Sequence, residues 1–425
     1  MQSPFRCAAL LALAASLPAQ TIPIAFTGAR LFDGSSRPPI EDATLIVRDG
    51  KVVTAGPASS TPIPRIARTT RLPGKTIIPG LVNAHAHVTR VQGPPPAADR
   101  LDANLARQLS LYARYGVTTL WSLGGEDASA VKARSAQDTP SLNRARIYFA
   151  GPVVTGNTPE AARQMVNEVA ALKPDVIKIR VDDNLGAGRK MPPEVYRAVI
   201  DESHRLGLRV AAHIFYLDDA KDLLRSGVDY IAHSVRDRDI DGEFIDLLKK
   251  RDICYCPTFT RELSTYVYES VPAFFKDPFF MREADAALVA RLQEPERQTA
   301  MRNSKSAQTY KAAIPLAMRN LKKLSDAGVR IAMGTDTGAL PERFQGYFEH
   351  LELEMMAEAG LTPAQVLRAA TSNAATCMQR TGTTATLAPN QWADFLVLDA
   401  NPLSEIGNTR KLHSAWIAGN QVPSR

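Results

Sequence analysis

The chain has 425 residues, enough for one large domain together with a smaller one. Hydrophobic residues make up 45% and charged residues 22%, a composition typical of a globular protein that excludes wholesale disorder and a collagen-like fibre. The formal net charge of +7 is small for this length, and Lys and Arg are interspersed with Asp and Glu, so nucleic-acid binding is not expected.

The first twenty residues differ from the rest of the chain. Arg6 is their only charge, and an apolar run over residues 7–17 precedes Pro18. Because this run is too short to cross a bilayer, residues 1–20 are predicted to be a secretory signal peptide. The alternative is a buried N-terminal helix. The signal peptide predicts a secreted or periplasmic protein that has no stable membrane insertion after cleavage.

Both ends of the remaining chain have the texture of β-structure. Short alternating segments with turn signals dominate residues 21–78, and Asp49-Gly50 lies between two apolar segments, which predicts a hairpin over residues 43–55. Residues 380–425 carry similar short apolar runs around a loop. These two ends predict a small β-sandwich that is built from both termini.

Between these ends, short apolar runs alternate with helical patterns, which indicates an α/β fold. The runs are residues 76–82, 117–123, 146–154, 175–180, 208–212, 228–232, 253–258 and 329–334. Eight buried strands, separated mostly by gaps long enough for a crossover helix, predict a (β/α)8 barrel of the TIM type over residues 79–379.

One gap is longer than the others. About fifty residues, from Thr260 to Lys311, separate the seventh strand from its helix, and six aromatic residues are clustered in the first part of this segment. Residues 261–310 are therefore predicted to be an inserted lid over the catalytic face. The alternative is an insertion that packs at the periphery of the barrel.

Metal-ligand residue types occur at several predicted strand ends, where a barrel of this type carries its active site. The first strand is followed by His85 and His87, whose two-residue spacing places both imidazoles on one side of an extended chain. The fifth and sixth strands end in His213 and His233, and Asp336 follows the eighth. This combination indicates a metal site.

The fourth strand places Lys178 in the middle of an apolar run. An unpaired ammonium group is costly in such a position. Lys178 is therefore a further candidate for the site, and the alternative is a lysine that extends to the rim of the barrel.

In this order, the residues resemble the ligand set of the metal-dependent amidohydrolase superfamily, within its imidazolonepropionase- and prolidase-like branch. The resemblance rests on the segment from Pro79 to His87, on Lys178, His213 and His233, and on Asp336. It covers the whole chain after residue 20. The turn before the strand at residues 393–399 departs from the pattern, because Pro-Asn-Gln-Trp replaces the usual glycine-containing turn.

The resemblance implies a centre of two divalent ions, with zinc favoured by the imidazole-rich coordination. It implies that His85 and His87 bind the more buried ion and that His213 and His233 bind the second. Lys178 would bridge the pair as a carbamate formed with CO₂. Asp336 would bind the first ion, orient a metal-bridging hydroxide and carry its proton to the leaving group.

The residues after the fifth strand favour hydrolysis over deamination. Single-metal deaminases of the superfamily resemble one another in carrying His-x-x-Glu here, whereas this chain has His213-Ile-Phe-Tyr216. Tyr216 is a candidate donor to the developing oxyanion, and ordinary packing is the alternative.

Other polar residues lie near the predicted site. Arg180, Asp182 and Asp183 either contact a charged end of the substrate or form a solvated loop, and His350 is expected to be structural. The four cysteines of the full chain, one of them within the predicted signal peptide, do not indicate a disulfide framework.

Together, these features predict a secreted metal-dependent hydrolase that cleaves an amide bond in a small molecule, such as a dipeptide, an N-acyl amino acid or a cyclic amide. Lactone or phosphotriester hydrolysis at the same site is an alternative, because the ligand set serves all of these reactions. A non-enzymatic binding protein of amidohydrolase fold is the other alternative. An oligomer is possible.

Overall fold

The computed structural model describes residues 21–89 and 101–424, so the predicted signal peptide lies outside the described residues. The strands are β1 Ile24–Leu31, β2 Ile40–Arg48, β3 Lys51–Pro57, β4 Arg68–Arg71, β5 Thr76–Pro79, β6 Leu81–Ala86, β7 Val117–Ser122, β8 Arg146–Phe149, β9 Ile177–Arg180, β10 Val210–His213, β11 Tyr230–Ala232, β12 Cys254–Cys256, β13 Phe395–Leu398, β14 Leu412–Ile417 and β15 Asn420–Gln421. The helices are α1 Leu101–Arg114, α2 Ala128–Ser135, α3 Pro159–Ala170, α4 Pro193–Arg205, α5 Leu217–Arg225, α6 Gly242–Lys250, α7 Phe259–Leu263, α8 Pro278–Met281, α9 Ala286–Leu292, α10 Pro295–Asn303, α11 Lys305–Asp326, α12 Tyr347–Glu358, α13 Pro363–Ala369 and α14 Ser372–Cys377. Within these residues, no helix is both long and apolar enough to cross a membrane.

Both chain ends contribute to one connected sheet with the order β15-β14-β13-β5-β1-β2-β3, and β4 pairs with β1. The predicted hairpin is present as β2 and β3, whose turn residues Asp49 and Gly50 both have positive φ, as a two-residue turn between twisted strands requires. Phe395 stacks on Trp416 with ring centroids 5.6 Å apart, and Phe26 meets the same indole edge to face. These rings help to form the core of the terminal sheet.

The central strands form two parallel sheets, β6-β7-β8 and β9-β10-β11-β12. Backbone hydrogen bonds link them on both sides. On one side, Val154 N donates to Lys178 O at 2.8 Å. On the other, Ala84 N donates to Met333 O at 2.8 Å, and Tyr255 forms a parallel bridge with Ile331. The predicted eighth strand is therefore represented by this single bridge.

The predicted first strand, residues 76–82, is divided at Gly80 into β5 of the terminal sheet and β6 of the parallel sheet. A Cβ atom at Gly80 would lie 2.1 Å from the side chain of Thr118 in the neighbouring strand. Only glycine allows this close approach, so the chain passes from one sheet to the other there.

Alternation along the parallel strands separates two hydrophobic clusters. Ile177 and Ile179 of β9 belong to the large cluster between strands and helices, whereas Val176 and Ala211 belong to a second cluster that the parallel strands enclose. Because side chains alternate along a strand, Lys178 points to the same side as Val176. The strand therefore directs a lysine toward the enclosed side.

The inserted segment contains α7 to α10 and short 3-10 turns. Tyr268, Phe275 and Phe280 are buried, and they pack with Phe344, which precedes α12, and with Tyr347 at the beginning of this helix. The clustered rings thus form a local core. A lid function of residues 261–310 stays a prediction.

Cys254 and Cys377 form a disulfide bond, and Cys256 is buried with a free thiol. The sequence did not predict this pair. The two half-cystines are 123 residues apart and lie in β12 and α14, so no local spacing indicates that they meet.

Candidate metal centre

The six residues that the sequence singled out lie at the ends of the parallel strands or directly after them. They are His85 in β6, His87 after it, Lys178 in β9, His213 at the end of β10, His233 after β11 and Asp336 after the bridge at Ile331. All are buried except His87, which is half-buried. The structure brings them together through a series of short contacts.

His85, His87 and Asp336 form a compact group whose potential ligand atoms all lie within 4.8 Å of one another. The Asp336 carboxylate approaches His87 Nε2 at 2.8 Å and His85 Nε2 at 3.4 Å. His87 Nδ1 contacts the carbonyl oxygen of Gly124 at 3.0 Å, so Nδ1 carries the proton. When Nδ1 carries the only ring proton, Nε2 of His87 has a lone pair that faces a carboxylate oxygen of Asp336. Two such atoms repel each other, and a cation bound to both would make the contact favourable.

Lys178 lies beside this group, with Nζ 3.5 Å from His85 Nε2. Burial lowers the pKa of Lys178 to about 8, although the Asp336 carboxylate acts in the opposite direction. Burial, with the nearby Lys178, also lowers the pKa of His85 to about 3. His85 is therefore a neutral imidazole, which is the form that binds metal ions.

His213 and His233 form the second group, with ring centroids 4.1 Å apart, and His233 lies 4.5 Å from the His85 ring. His213 Nε2 bonds to Asp182 at 2.7 Å, and His233 Nδ1 bonds to the hydroxyl of Thr258 at 2.6 Å. These bonds leave Nδ1 of His213 and Nε2 of His233 for a ligand. Burial lowers the pKa of both imidazoles well below the ordinary value.

The sequence predicted that Asp182 contacts a charged end of the substrate or lies in a solvated loop. In the structure it is buried and bonded to His213. Burial opposes its ionisation, but the hydrogen bond and charge of His213 and the backbone N–H of Asn184 hold its pKa well below its usual range. The ionised Asp182 accepts a hydrogen bond from His213 Nε2–H and orients the ring, a role that carboxylates often have behind metal-binding imidazoles.

Asn83 and Glu349 support the first group. Asn83 accepts a hydrogen bond from the backbone N–H of His85 at 3.0 Å and donates to Glu349 and to Thr335 at 2.7 Å each. Glu349 also accepts a hydrogen bond from Thr337 at 2.6 Å. This buried network fixes the two segments that carry His85 and Asp336. The sequence reasoning missed it, although Asn83 has the same two-residue spacing from His85 that His87 has.

Two residues at the centre have strained backbone conformations. His233 has φ of 73° and Asp336 has φ of 60°, both in the left-handed region that favours glycine. Such strain is common where a fold holds a side chain in a functional position.

Arg343 contacts the centre and was not predicted. Its Nη1 donates a short hydrogen bond to Asp336 Oδ2, while Asp336 Oδ1 faces His85 and His87. Burial opposes ionisation of Asp336, but the Arg343 guanidinium and the two imidazoles hold its pKa well below its usual range. Asp336 is thus a carboxylate with one oxygen toward the ligand group.

Tyr216 lies at the N-terminus of α5, and its hydroxyl donates to Asp183 at 2.8 Å. The ammonium group of Lys190 lies 3.7 Å from the centre of its ring. Arg180 is partly exposed and bonds to Asp182 and Asn184. The oxyanion role of Tyr216 stays a prediction.

His350 is buried in α12 and has structural partners. Its Nε2 bonds to the carbonyl oxygen of Tyr115 at 2.8 Å, and its Nδ1 to the hydroxyl of Thr409 at 3.0 Å. Both ring nitrogens are therefore occupied within the fold.

Glu352 fixes the segment that follows Thr258. Its carboxylate accepts hydrogen bonds from the backbone N–H groups of Phe259 at 2.8 Å and Thr260 at 2.7 Å. Burial nevertheless raises its pKa to about 8. The raised pKa contributes stability that is fully present below the ordinary pKa and is lost as the pH rises through about 8.

We expect the free energy of unfolding to fall more steeply between pH 5 and pH 8 in the wild type than in Glu352→Gln. In this range Glu352 is protonated in the folded protein and releases its proton on unfolding, whereas glutamine has no proton to release. The slope from one such group approaches about 1.4 kcal/mol per pH unit. Urea unfolding at several pH values measures the difference. If the free energy of unfolding depended on pH equally in both proteins, Glu352 would be ionised in the folded state throughout this range.

The chain is similar to known proteins in both sequence and structure. The Amidohydrolase family matches residues 76–422. A proposed prolidase from Bifidobacterium longum is similar in structure, with a TM-score of 0.75, 25% identity and coverage of 94% of each chain. A Xaa-Pro dipeptidase with bound methionine in its active site has a TM-score of 0.75 and 19% identity, covering 94% of this chain and 99% of the other.

A third similar structure is the ochratoxinase of A. niger, with a TM-score of 0.70 and 19% identity, covering 94% of this chain and 95% of the other. No curated protein sequence matches the chain. The family match extends from β5 to the last residues of the terminal sheet and includes all six candidate ligands. The chain therefore belongs to the amidohydrolase family and is a hydrolase.

Proposed function

We propose that this chain is an exported hydrolase with two divalent metal ions that cleaves an amide bond in a dipeptide, an N-acyl amino acid or a cyclic amide. The observation that carries this proposal is the single cluster of four imidazoles, Asp336 and Lys178 at one end of the parallel strands. The similarity to a Xaa-Pro dipeptidase supports an amide as the substrate.

The donor set fits two ions. His85, His87 and Asp336 would hold one, and His213 and His233 would hold the other. Nitrogen-rich ligands of this kind favour zinc. The lowered pKa of Lys178 supports its conversion to a carbamate, because CO₂ reacts with the neutral amine. Carbamylation would replace a buried cation by an anionic ligand for both ions.

The fold is proposed to be a closed (β/α)8 barrel with a small β-sandwich. Backbone hydrogen bonds that link the two parallel sheets on both sides support closure, with the segment around Ile331 as the eighth member. In such a barrel, the ends of the strands that carry the six residues form the catalytic face.

When bound, the two ions would supply a water molecule whose pKa is low enough for attack near neutral pH. Asp336 Oδ1 faces the ligand group, so it can accept a proton from an attacking water molecule and donate a proton to the leaving nitrogen. Arg343 holds the other carboxylate oxygen and fixes the direction of Oδ1. Tyr216 could stabilise the oxyanion after its hydroxyl turns from Asp183.

Export is supported by the composition of residues 1–20 and by the disulfide between Cys254 and Cys377, since disulfides persist mainly in oxidising compartments. The proposed location is therefore the periplasm or the outside of the cell. The partner of the site is a small molecule.

Hydrolysis assays with the zinc-loaded protein test the proposed function. The panel comprises dipeptides, N-acetyl amino acids and cyclic amides, with lactones and phosphotriesters as comparison substrates. We expect at least one amide class to exceed both comparison classes in kcat/KM. Turnover of lactones or phosphotriesters alone would contradict the assignment to amides, and absence of all turnover in metal-loaded protein would favour a binding protein.

A further inference from the structure

Arg236 is a buried arginine three residues after His233, and it was not predicted from the sequence. Its exposed fraction is 2%, and it lies on the segment that joins β11 to α6. Burial of a guanidinium group costs free energy unless its charge is paired and its donors are used. The partners of Arg236 therefore indicate what this side chain does.

The regular pairing of β10 and β11 ends beside the second group of imidazoles. His213 pairs with Ala232, and the backbone N–H of Ile214 donates to Ala232 O at 3.1 Å. His233 then has φ of 73°, so the chain leaves the extended conformation of a strand. Beyond this point the strand ladder no longer fixes the distance between the two segments.

The side chain of Arg236 connects the two segments where the ladder ends. Its Nη1 donates to the carbonyl oxygen of Ile214 at 3.1 Å and forms a short hydrogen bond to the carbonyl oxygen of Ser234. Ile214 directly follows His213, and Ser234 directly follows His233. One nitrogen atom is thus bonded to the residue after each imidazole of the second group.

Further contacts hold the guanidinium group in this orientation. Its central carbon lies 4.5 Å from the centre of the Phe215 ring, and the backbone N–H of Arg236 donates to Phe215 O at 3.2 Å. On the other branch of the fork, Nη2 lies 3.0 Å from Oε1 of the buried Glu262. The protein therefore holds Arg236 from both sides.

Glu262 belongs to α7, the first helix of the inserted segment. This helix directly follows Thr258, whose hydroxyl contacts His233 Nδ1 at 2.6 Å. The inserted segment therefore supplies the counter-charge of the arginine that connects the segments of His213 and His233.

We propose that Arg236 is a positioning residue for the second metal ion, because it fixes the spacing between the segments that carry His213 and His233. Glu262 of the inserted segment holds Arg236 in place. This inference rests on the proposed function, since it presupposes a centre of two ions. Metal binding is sensitive to such spacing, because ligand distances have to stay within about 0.2 Å of their usual values.

The first ion should not depend on Arg236. Its proposed ligands are His85, His87 and Asp336, and the segments of His85 and Asp336 are fixed by the separate network of Asn83 and Glu349. Replacement of Arg236 is therefore expected to weaken one ion and to leave the other unchanged. A role in stability alone would not separate the two ions.

The test measures the zinc that the full chain retains over a series of zinc buffers, by elemental analysis. We expect two binding steps in the wild type, and the variant His213→Ala with His233→Ala identifies the second step by removing it. Arg236→Met leaves Glu262 paired with Arg261 at 2.7 Å. In this variant the second step should need about 10- to 100-fold more free zinc, the usual effect of residues behind metal ligands, and the first step should not move.

Arg236→Lys keeps the charge but loses the fork, so one nitrogen cannot replace both Nη1 and Nη2. We expect a smaller shift of the second step in the same direction. Arg146→Lys is the matched control. Arg146 is equally enclosed, pairs with Asp394 at 2.8 Å and lies 4.3 Å from the centre of the Trp392 ring, but it is the first residue of β8, at the end of the parallel strands opposite to the ligands. Both zinc steps of this control should equal those of the wild type, whatever its melting temperature.

If Arg236→Met does not fold, the comparison of Arg236→Lys with Arg146→Lys gives the decision. A second step equal to that of the wild type in the Arg236 variants, or an equal shift of both steps, would overturn the positioning role while the two-ion centre stands. A wild-type isotherm without a second step would instead contradict the two-ion centre of the proposed function, and the inference would fall with it.

Discussion

Replacing Asp336 with asparagine is expected to lower kcat/KM by about 10²- to 10⁴-fold, the usual contribution of general acid–base catalysis. The amide retains the shape of the carboxylate but cannot accept the proton of the attacking water. It also removes the negative charge that faces His85 and His87 and that pairs with Arg343. Steady-state kinetics on the best amide substrate measures the effect.

Asp326→Asn is a suitable control, because Asp326 is an exposed aspartate at the end of α11 that pairs with Lys322. We expect this variant to keep wild-type activity, since exposed ion pairs contribute little. If Asp336→Asn kept the activity of the control, the proton transfer would have to be assigned to another group.

Lys178→Ala is expected to lower activity by at least about 10²-fold and to reduce the metal content, because even residues behind the metal ligands typically contribute 10- to 100-fold in affinity or activity. Added short-chain carboxylic acids should restore part of the activity by occupying the space of the lost bridge. Lys178→Arg should not be rescued, because a guanidinium group stays cationic and forms no carbamate. Metal analysis and kinetics with and without added acid measure these effects.

Two bound ions and near-wild-type turnover in Lys178→Arg would contradict the bridging role. The centre would then have to be explained with a different ligand. Mass spectrometry of the intact native protein, in which a carbamate adds the mass of CO₂, provides an independent measurement of the modification.

The ligand residues could be predicted from the sequence because each one follows a recognisable local pattern. His85 and His87 are spaced as alternate residues of an extended chain, and Lys178 interrupts an apolar strand. The apolar run that precedes or surrounds each ligand is a local property of the sequence. The carboxyl ends of parallel strands lie at the same edge, so the parallel arrangement alone brings these residues together. Little further information was needed to predict that they form one site.

The residues that surround the ligands could not be predicted in the same way. Asp182 was expected in contact with substrate or solvent, but the chain after β9 turns back and places it on His213. Arg343 lies in an irregular segment before α12, where no periodicity indicates which way a side chain points. Their contacts depend on how distant segments pack, and one sequence carries no signal for that packing.

The first and eighth strands show a related limit. Residues 76–82 form one apolar run, yet the close contact of Gly80 with Thr118 divides it between two sheets. Residues 329–334 are apolar as predicted, but only Ile331 forms a bridge. Apolar runs indicate burial, whereas strand boundaries depend on the neighbouring strand.

The central claim is that four imidazoles, Asp336 and Lys178 form one centre for two ions. Elemental analysis of the purified, zinc-loaded protein after removal of free metal tests it most directly. The account predicts about two ions per chain in the wild type and fewer in a double variant, His213→Ala with His233→Ala, that keeps the group of His85, His87 and Asp336. A wild-type content near zero, or a double variant that retained two ions, would contradict it.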